Sequence, residues 1–298
     1  MNTQHGMRAL RLAALAVLTM RFASLAHAID VEAGDYAALP AGTDLAVMYG
    51  QHAERRSLYS QGDRVPIDAR LDSDVGMLRL VHYTEVGGYI VNPQIFLPYG
   101  RLSAKGDLAA LGHESGAADI ILAASVWLSQ PGEAVQNGLA GYAWLPTGDY
   151  QRTRALNLGE NRWKLALQYG HIRPIAEALV LDLVGDVTFY GSNDDADDGA
   201  GGRTRLTQKP LFALQSHLRY QASPTVDLRL GLFYTAGGET RLAGVAQDDR
   251  QSTSKFNLGV GWFVRPSTQL LAMYNRDLSV RDGFSESQRL NLRLVQVF

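Results

Sequence analysis

The chain reads as all-β: a transmembrane, antiparallel, up-and-down β-barrel of about twelve strands. Three observations predict this. Beyond residue 28, segment after segment of about ten residues alternates apolar with polar side chains, the period of a strand with two unlike faces. The connectors between these segments run alternately long and short, as extracellular loops and periplasmic turns do in a membrane barrel. No apolar run past the N-terminus approaches the roughly 20 residues of a helical span, so a membrane crossing has to be made by strands.

The N-terminus explains how such a chain reaches a membrane. Arg8 and Arg11 precede the apolar stretch Leu12 to Met20, and Ala26-His27-Ala28 follows with small residues at the two cleavage-determining positions. This layout predicts a secretory signal peptide over 1–28, interrupted only by Arg21, with the mature chain starting at Ile29. Residues 29–42 are expected to be an N-terminal periplasmic segment and 43–298 the barrel. The absence of Cys fits export without disulfides. A net charge of -2 and no Lys/Arg cluster argue against nucleic acid as a partner.

In chain order, Thr43 to His52 is the first strand, with Leu45, Val47 and Tyr49 on its apolar parity. Val75 to Tyr83 follows with Leu78 and Leu80 opposite Arg79, and then Tyr89 to Tyr99, which carries Pro93 and Pro98. Asp119 to Leu128 and Gly138 to Leu145 are short and apolar. The second half alternates more strictly. Trp163, Leu165, Leu167 and Tyr169 oppose Lys164 and Gln168, and Leu181, Leu183, Val187 and Phe189 oppose Asp182 and Asp186. Phe212, Leu214, Leu218 and Tyr220 oppose Gln215, His217 and Arg219, while Leu228, Leu230, Leu232 and Tyr234 oppose Asp227 and Arg229. Phe256, Leu258, Val260 and Trp262 oppose Lys255 and Asn257. Thr268 to Leu278 is a strand whose sequence leaves its phase open. Leu290, Leu292 and Leu294 oppose Arg289, Asn291 and Arg293 in the last strand.

Long connectors are expected at 53–74, 100–118, 146–162, 191–209 and 236–252, and short ones at 84–88, 173–178, 221–225 and 265–267. Those at 129–137 and 279–287 are intermediate. Tyr49, Trp127, Tyr142, Trp144, Trp163, Tyr169, Phe189, Tyr190, Tyr220, Tyr234 and Trp262 lie largely towards strand ends, where interfacial girdles form. The chain stops on Phe298. That ending resembles the closing strand of bacterial outer-membrane barrels, and the resemblance implies recognition by the barrel-assembly machinery.

Several motifs narrow the resemblance: N-P-Q-I-F-L-P at Asn92 to Pro98, D-I-I-L-A-A-S-V-W-L at Asp119 to Leu128, and L-P-T-G-D-Y at Leu145 to Tyr150. L-N-L-G-E-N-R-W at Leu156 to Trp163, F-Y-G-S-N-D-D at Phe189 to Asp195 and G-G-E-T at Gly237 to Thr240 complete the ordered set. The chain from about Gly42 to Phe298 resembles the MetA-pathway of phenol degradation family. The resemblance implies an outer-membrane barrel, lodged in lipid and lipopolysaccharide, that helps aromatic compounds cross. The chain departs from the family pattern at Ala118-Asp119-Ile120, where G-D-P is expected, and at Gln296.

If the apolar parity faces lipid, the other parity lines the lumen. The candidates are Arg79, Lys164, Gln168, Asp182, Asp186, Gln215, His217, Arg219, Asp227, Arg229, Lys255, Asn257, Arg289, Asn291 and Arg293. They serve either as salt bridges that fill the barrel or as a path for solute. Pro93 and Pro98 either mark a strand end or kink the wall into a lateral exit. The acidic group Asn193, Asp194, Asp195, Asp197 and Asp198 lacks EF-hand spacing and reads as a solvated loop or a loose cation site. Ser216 and His217 are adjacent and so point to opposite faces, and no G-x-S-x-G turn is present. His171 sits near a strand end. The expected function is a monomeric barrel that passively admits small hydrophobic or aromatic compounds without a cofactor. A lipid-acting barrel enzyme and a plugged structural or adhesive barrel stand as alternatives.

Overall fold

The structure is a computed structural model and describes residues 30–298; the predicted signal peptide lies outside them. Twelve strands form the wall. They are β1 Asp44–Ser60, β2 Ala69–His82, β3 Tyr89–Gly106, β4 Ile121–Trp127, β5 Gln136–Trp144 and β6 Lys164–Ala176. The second half consists of β7 Leu179–Tyr190, β8 Leu211–Ser223, β9 Val226–Gly237, β10 Gln251–Arg265, β11 Thr268–Val280 and β12 Gly283–Val297. Each pairs antiparallel with its sequence neighbour, and β12 pairs with β1 from Leu45↔Val297 to Tyr59↔Gly283, which closes the sheet. The seal runs to the last residue, whose N–H donates to Asp44 O at 2.9 Å. Closure leaves no unpaired edge, the condition for a sheet to cross lipid.

Alternation separates two surfaces along each strand. On β8, Phe212 and Leu214 are 58% and 65% exposed, whereas Ala213, Gln215 and His217 between and beside them are buried. An apolar surface of this extent is stable only against acyl chains. The outer face of β1 and β2 shows where those chains begin and end. Asp44 pairs with His82 at 2.7 Å and, eight residues on, His52 pairs with Asp74 at 2.6 Å, with Ala46, Met48, Leu78 and Leu80 between. That interval is roughly 26 Å of strand, and about 20 Å of height at the usual tilt, close to the ~25 Å apolar band of such barrels.

Short turns, the start of β1 and the C-terminal end share one rim, the periplasmic rim in barrels of this kind. At the opposite rim the ladders outlast the apolar band. The stretch 53–74, expected to be a long loop, is mostly strand, because β1 runs to Ser60 and β2 starts at Ala69. Arg56 and Arg70 stand on these extensions. Outside lipid a strand needs no apolar face, so pairing continues where alternation has ceased. For the same reason 279–287 contracts to a turn at Arg281 and Asp282. Segments Asn193–Asp197, Arg203–Gln208, Thr240–Leu242 and Val245–Ala246 form a second, four-stranded sheet from the outer loops.

Two phases differ from, or go beyond, the alternation in the sequence. In β1, Val47 is buried and Tyr49 turns inward while Met48 is 59% exposed, the reverse of the expected parity. Apolar groups occupy both faces there, so periodicity could not choose between them. In β11, Leu271 and Met273 face in and Leu270 and Leu278 face out, which is why hydropathy left that phase open.

Candidate functional site: the lumen and its N-terminal insert

The residues on the predicted inward parity all face the barrel interior. Arg79, Arg219 and Asn291 are half-buried, and the others are buried. They do not meet one another across an empty lumen. The segment 29–42 is expected to lie on the periplasmic side; its described part, from residue 30, enters the barrel from that rim, and from Asp30 to Ala38 its residues pack among the lumenal side chains.

The wall grips this insert on every side. Val31 N–H donates to Gln215 Oε1 at 3.1 Å, Gly34 N–H to Asp182 Oδ2 at 2.5 Å and Ala38 N–H to Gln136 Oε1 at 3.2 Å. Arg229 Nη1 donates to Ala33 O at 2.8 Å, and Trp127 Nε1 to Tyr36 O at 3.0 Å. An irregular segment inside a barrel has no ladder of its own, so side chains from the wall must satisfy its backbone. Gly34 turns with φ +90°, a conformation that disfavours side chains, and an added Cβ would meet the Arg219 guanidinium at 3.2 Å.

Tyr36 is the anchor. Its hydroxyl donates to Gln168 Oε1 at 2.8 Å, and its ring packs with Phe96, Ala123, Ala140 and Tyr142. The ring fits because Gly138 and Gly170, cross-strand partners on β5 and β6, have no side chains: a Cβ on Gly170 would lie 2.1 Å from it.

The carboxylates of the insert meet the cationic side of the wall. Asp30 pairs with Lys255, and with Arg289 at 2.8 Å; Asp35 pairs with Arg293 at 2.7 Å and with Arg79 at 3.7 Å. Burial raises the Asp35 carboxyl, but Arg293 and Arg79 outweigh it and hold the group below its ordinary range. Glu32 differs, since burial pushes it up to about 7 despite Arg293, and its Oε2 has no hydrogen-bond partner among the described residues.

Among the described residues, two of the cavities lie along the lumen. One of about 430 Å³ opens under the outer loops, between Arg55, Tyr150, Arg152 and Glu286. The other, about 290 Å³, lies between the insert and the wall and is lined by Tyr49, Phe96, Tyr142 and Arg293. Asp30, Gln51, Val75, Ile121 and Trp144 line both, so the two are neighbours. Tyr49, Trp127, Tyr142, Trp144 and Tyr190 therefore stand inside and not in the girdles expected of them. Trp163, Tyr169, Phe189, Tyr220, Tyr234 and Trp262 do lie on the outer surface.

The remaining candidates have plain roles. His217 is buried with its ring edge against Phe233 at 5.1 Å, while Ser216 faces the other way, and His171 meets Asn137 Oδ1 at 2.8 Å. In the acidic loop Asp194 pairs with Arg205 and Asp195 with Arg152, while Asp197 and Asp198 accept backbone N–H groups of residues 199–202. Those contacts close a hairpin. Pro93 and Pro98 lie within one continuous strand, paired with Ala124 and Met77. On the β4 side pairing is interrupted opposite Leu97 and Pro98, where residues 118–120 bulge and Ala118 N–H donates to Pro98 O at 3.0 Å.

A comparison with known protein families matches residues 55–294 to the family described as "Putative MetA-pathway of phenol degradation". The chain belongs to this family. It is 40% identical to the COG4313 outer membrane channel from Pseudomonas putida F1, whose crystal structure superposes with a TM-score of 0.86 over 90% of this chain and all of that one. The β domain of the Bordetella autotransporter BrkA (13% identity, TM-score 0.57, 87% of this chain and 100% of that) shares the barrel fold alone. The NalP translocator domain from Neisseria meningitidis (11%, 0.50, 99% and 95%) likewise shares only the fold. A comparison with curated proteins found no match.

The motifs that mark the MetA-pathway family have a physical role here. They fold the loop 145–163 onto the β3–β4 side of the wall. Asp149 Oδ2 accepts from Ala117 N–H at 2.8 Å, and Tyr150 Oη donates to Asp195 O at 2.8 Å. Asp119 accepts from Gly148 N–H at 2.9 Å and Glu160 N–H at 3.0 Å. The departure at Ala118-Asp119-Ile120 thus keeps the one side chain in that turn that ties down the loop. Burial raises the Asp119 carboxyl, opposed by those two bonds. Sequence reasoning missed Asp30, Glu32, Asp35 and Tyr36. The signal for them was indirect: cations outnumber carboxylates among the inward candidates, and buried cations need partners.

Proposed function

We propose that this protein is an outer-membrane channel that passively admits small hydrophobic or aromatic compounds, of the kind its family description connects with phenol degradation. The observation that carries this is the pair of neighbouring cavities, one under the outer loops and one against the insert in a space lined by Tyr49, Phe96, Tyr142 and Trp144. Apolar walls with a few placed polar groups suit a small ring. The solute enters beneath the loop 145–163, descends to the inner cavity and is released to the periplasm when the insert shifts. The lumenal charges hold the insert and set the local field. No step needs a cofactor or a nucleophile, in line with the channel named among its relatives and against the lipid-acting enzyme. The chain works as a monomer in outer-membrane lipid and lipopolysaccharide, with Phe298 offered to the assembly machinery.

Liposome swelling with phenolic and aliphatic solutes tests this. Faster flux of the phenolic solutes is expected, and correctly folded protein with no solute-dependent flux would overturn the reading. A side exit is the second reading, favoured by the interrupted pairing at Leu97 and Pro98. Locking the insert in place by cross-linking it to the wall distinguishes the two, because only a side exit leaves flux unchanged.

A further inference from the structure

Of the wall cations that grip the insert, Arg229 and Arg289 also pair with Asp227 and Glu286 on the wall and Arg79 also donates to Gln94 and Tyr49, but three of them draw their carboxylate from the insert. Among the described residues, Lys255 forms its ion pair with Asp30, and Arg79 and Arg293 form theirs with Asp35. If the insert leaves, these cations are stranded in a narrow interior, where an unpaired charge is costly. They also stand against aromatic rings: Lys255 lies 4.7 Å from the centroid of Phe233, and the Arg79 guanidinium 5.0 Å from that of Phe96. The inner cavity of about 290 Å³ is lined by Arg79, Arg293 and Asp35 together with the rings of Tyr49, Phe96 and Tyr142, and Arg79 donates to Tyr49 Oη at 3.2 Å. An apolar cavity of about 150 Å³ takes a benzene ring, so there is room for one ring and a carboxylate.

We propose that this cavity is a binding site for single-ring aromatic carboxylates, and that Asp35 of the insert is a tethered stand-in for the carboxylate of the solute. The proposal rests on the channel reading and names its substrate class. A neutral phenol offers nothing to replace Asp35, so releasing the insert in its presence strands Arg79 and Arg293. An aromatic carboxylate exchanges one charge-assisted pair for another, while its ring occupies the aromatic wall. Its binding is therefore coupled to release of the insert, because it favours only the state in which Asp35 has withdrawn.

The test uses the mature chain in non-ionic detergent, with indole fluorescence as the readout, since Trp144 lines the cavity and Trp127 holds Tyr36 O. Benzoate is titrated against benzyl alcohol, a neutral ring of similar size, and against acetate, a carboxylate without a ring. Benzoate is expected to saturate at least about tenfold tighter than either, a difference of about 1.4 kcal/mol. Asp35→Asn, which weakens the tethered competitor, is expected to tighten benzoate binding, and Arg293→Gln to abolish it. Benzoate binding no tighter than benzyl alcohol or acetate overturns the proposal, as does an Asp35→Asn variant with unaltered benzoate affinity. The wild-type comparison stands even if a variant fails to fold. Planar-bilayer recording keeps the two readings apart. Selective benzoate binding without conductance removes the channel and leaves the site, whereas conductance without benzoate selectivity removes the site and leaves the channel.

Discussion

Along β3 to β7 the inward positions include Phe96, Ala123, Ala140, Tyr142, Ala166 and Val184, whereas along β9 to β12 they include Asp227, Arg229, Lys255, Asn275, Arg289 and Arg293. The insert matches both sides, with Val31 and Tyr36 against the first and Asp30 and Asp35 against the second. The two sides hold it by different physics. Packing on the apolar side is short-ranged and depends on shape, above all on the notch at Gly138 and Gly170. Pairing on the cationic side depends on salt and protonation, and its absence is costly because the charges stay buried. The two sides should therefore respond differently to substitution and to solution conditions.

The largest effect is expected from the apolar side. Gly170→Val drives a side chain into the Tyr36 ring, and Tyr36→Ala removes the ring at a cost of about 3–5 kcal/mol. Either shifts the docking equilibrium more than about 100-fold, which planar-bilayer recording reads as a severalfold rise in mean conductance. Unchanged conductance in both would mean that packing does not hold the insert. On the cationic side, Arg293→Gln leaves Asp35 with the longer contact to Arg79 and the Glu32 N–H, and weakens docking by about 3 kcal/mol. The loss should show as faster hydrogen exchange over residues 31–38.

A smaller effect comes from pH. The Glu32 carboxyl is raised to about 7 when docked, so docking favours its protonated form. Its contribution is complete below about 4.5, declines as pH rises through 7 and is absent above. Asp35 is lowered and stays ionised throughout that window. Mean conductance should therefore rise between pH 4.5 and 7.5, and Glu32→Gln should flatten the curve. The smallest effect belongs to neither side of the lumen. Asp74→Asn breaks the exposed pair with His52 on the outer surface, and should change unfolding free energy by less than about 1 kcal/mol. A larger change in urea-unfolding experiments would show that the outer rim contributes to closure.

The strands were most legible where one face alone is apolar, as at Leu165, Leu167 and Tyr169 against Lys164 and Gln168. They were least legible at β1 and β11, where Val47, Leu271 and Met273 put apolar groups inside the lumen as well. Aromatic residues misled for the same reason. A ring at a strand end suits a membrane interface and an apolar lumen equally, and only orientation separates Trp163 outside from Trp144 inside. Inward-facing cations were readable from parity, but their partners were not, because Asp30 and Arg289 lie at opposite ends of the chain.

By itself the sequence determined that the chain is a barrel of about twelve antiparallel strands and which parity of most strands meets lipid, since both follow from the local period of hydropathy. Tertiary structure alone decided that residues 30–38 occupy the lumen and that Gly138 and Gly170 leave a notch for Tyr36. It also decided that cations from β2, β10 and β12 converge on two aspartates. Ring closure brings those groups together from distant points in the chain, and no local pattern carries a contact whose halves are more than two hundred residues apart.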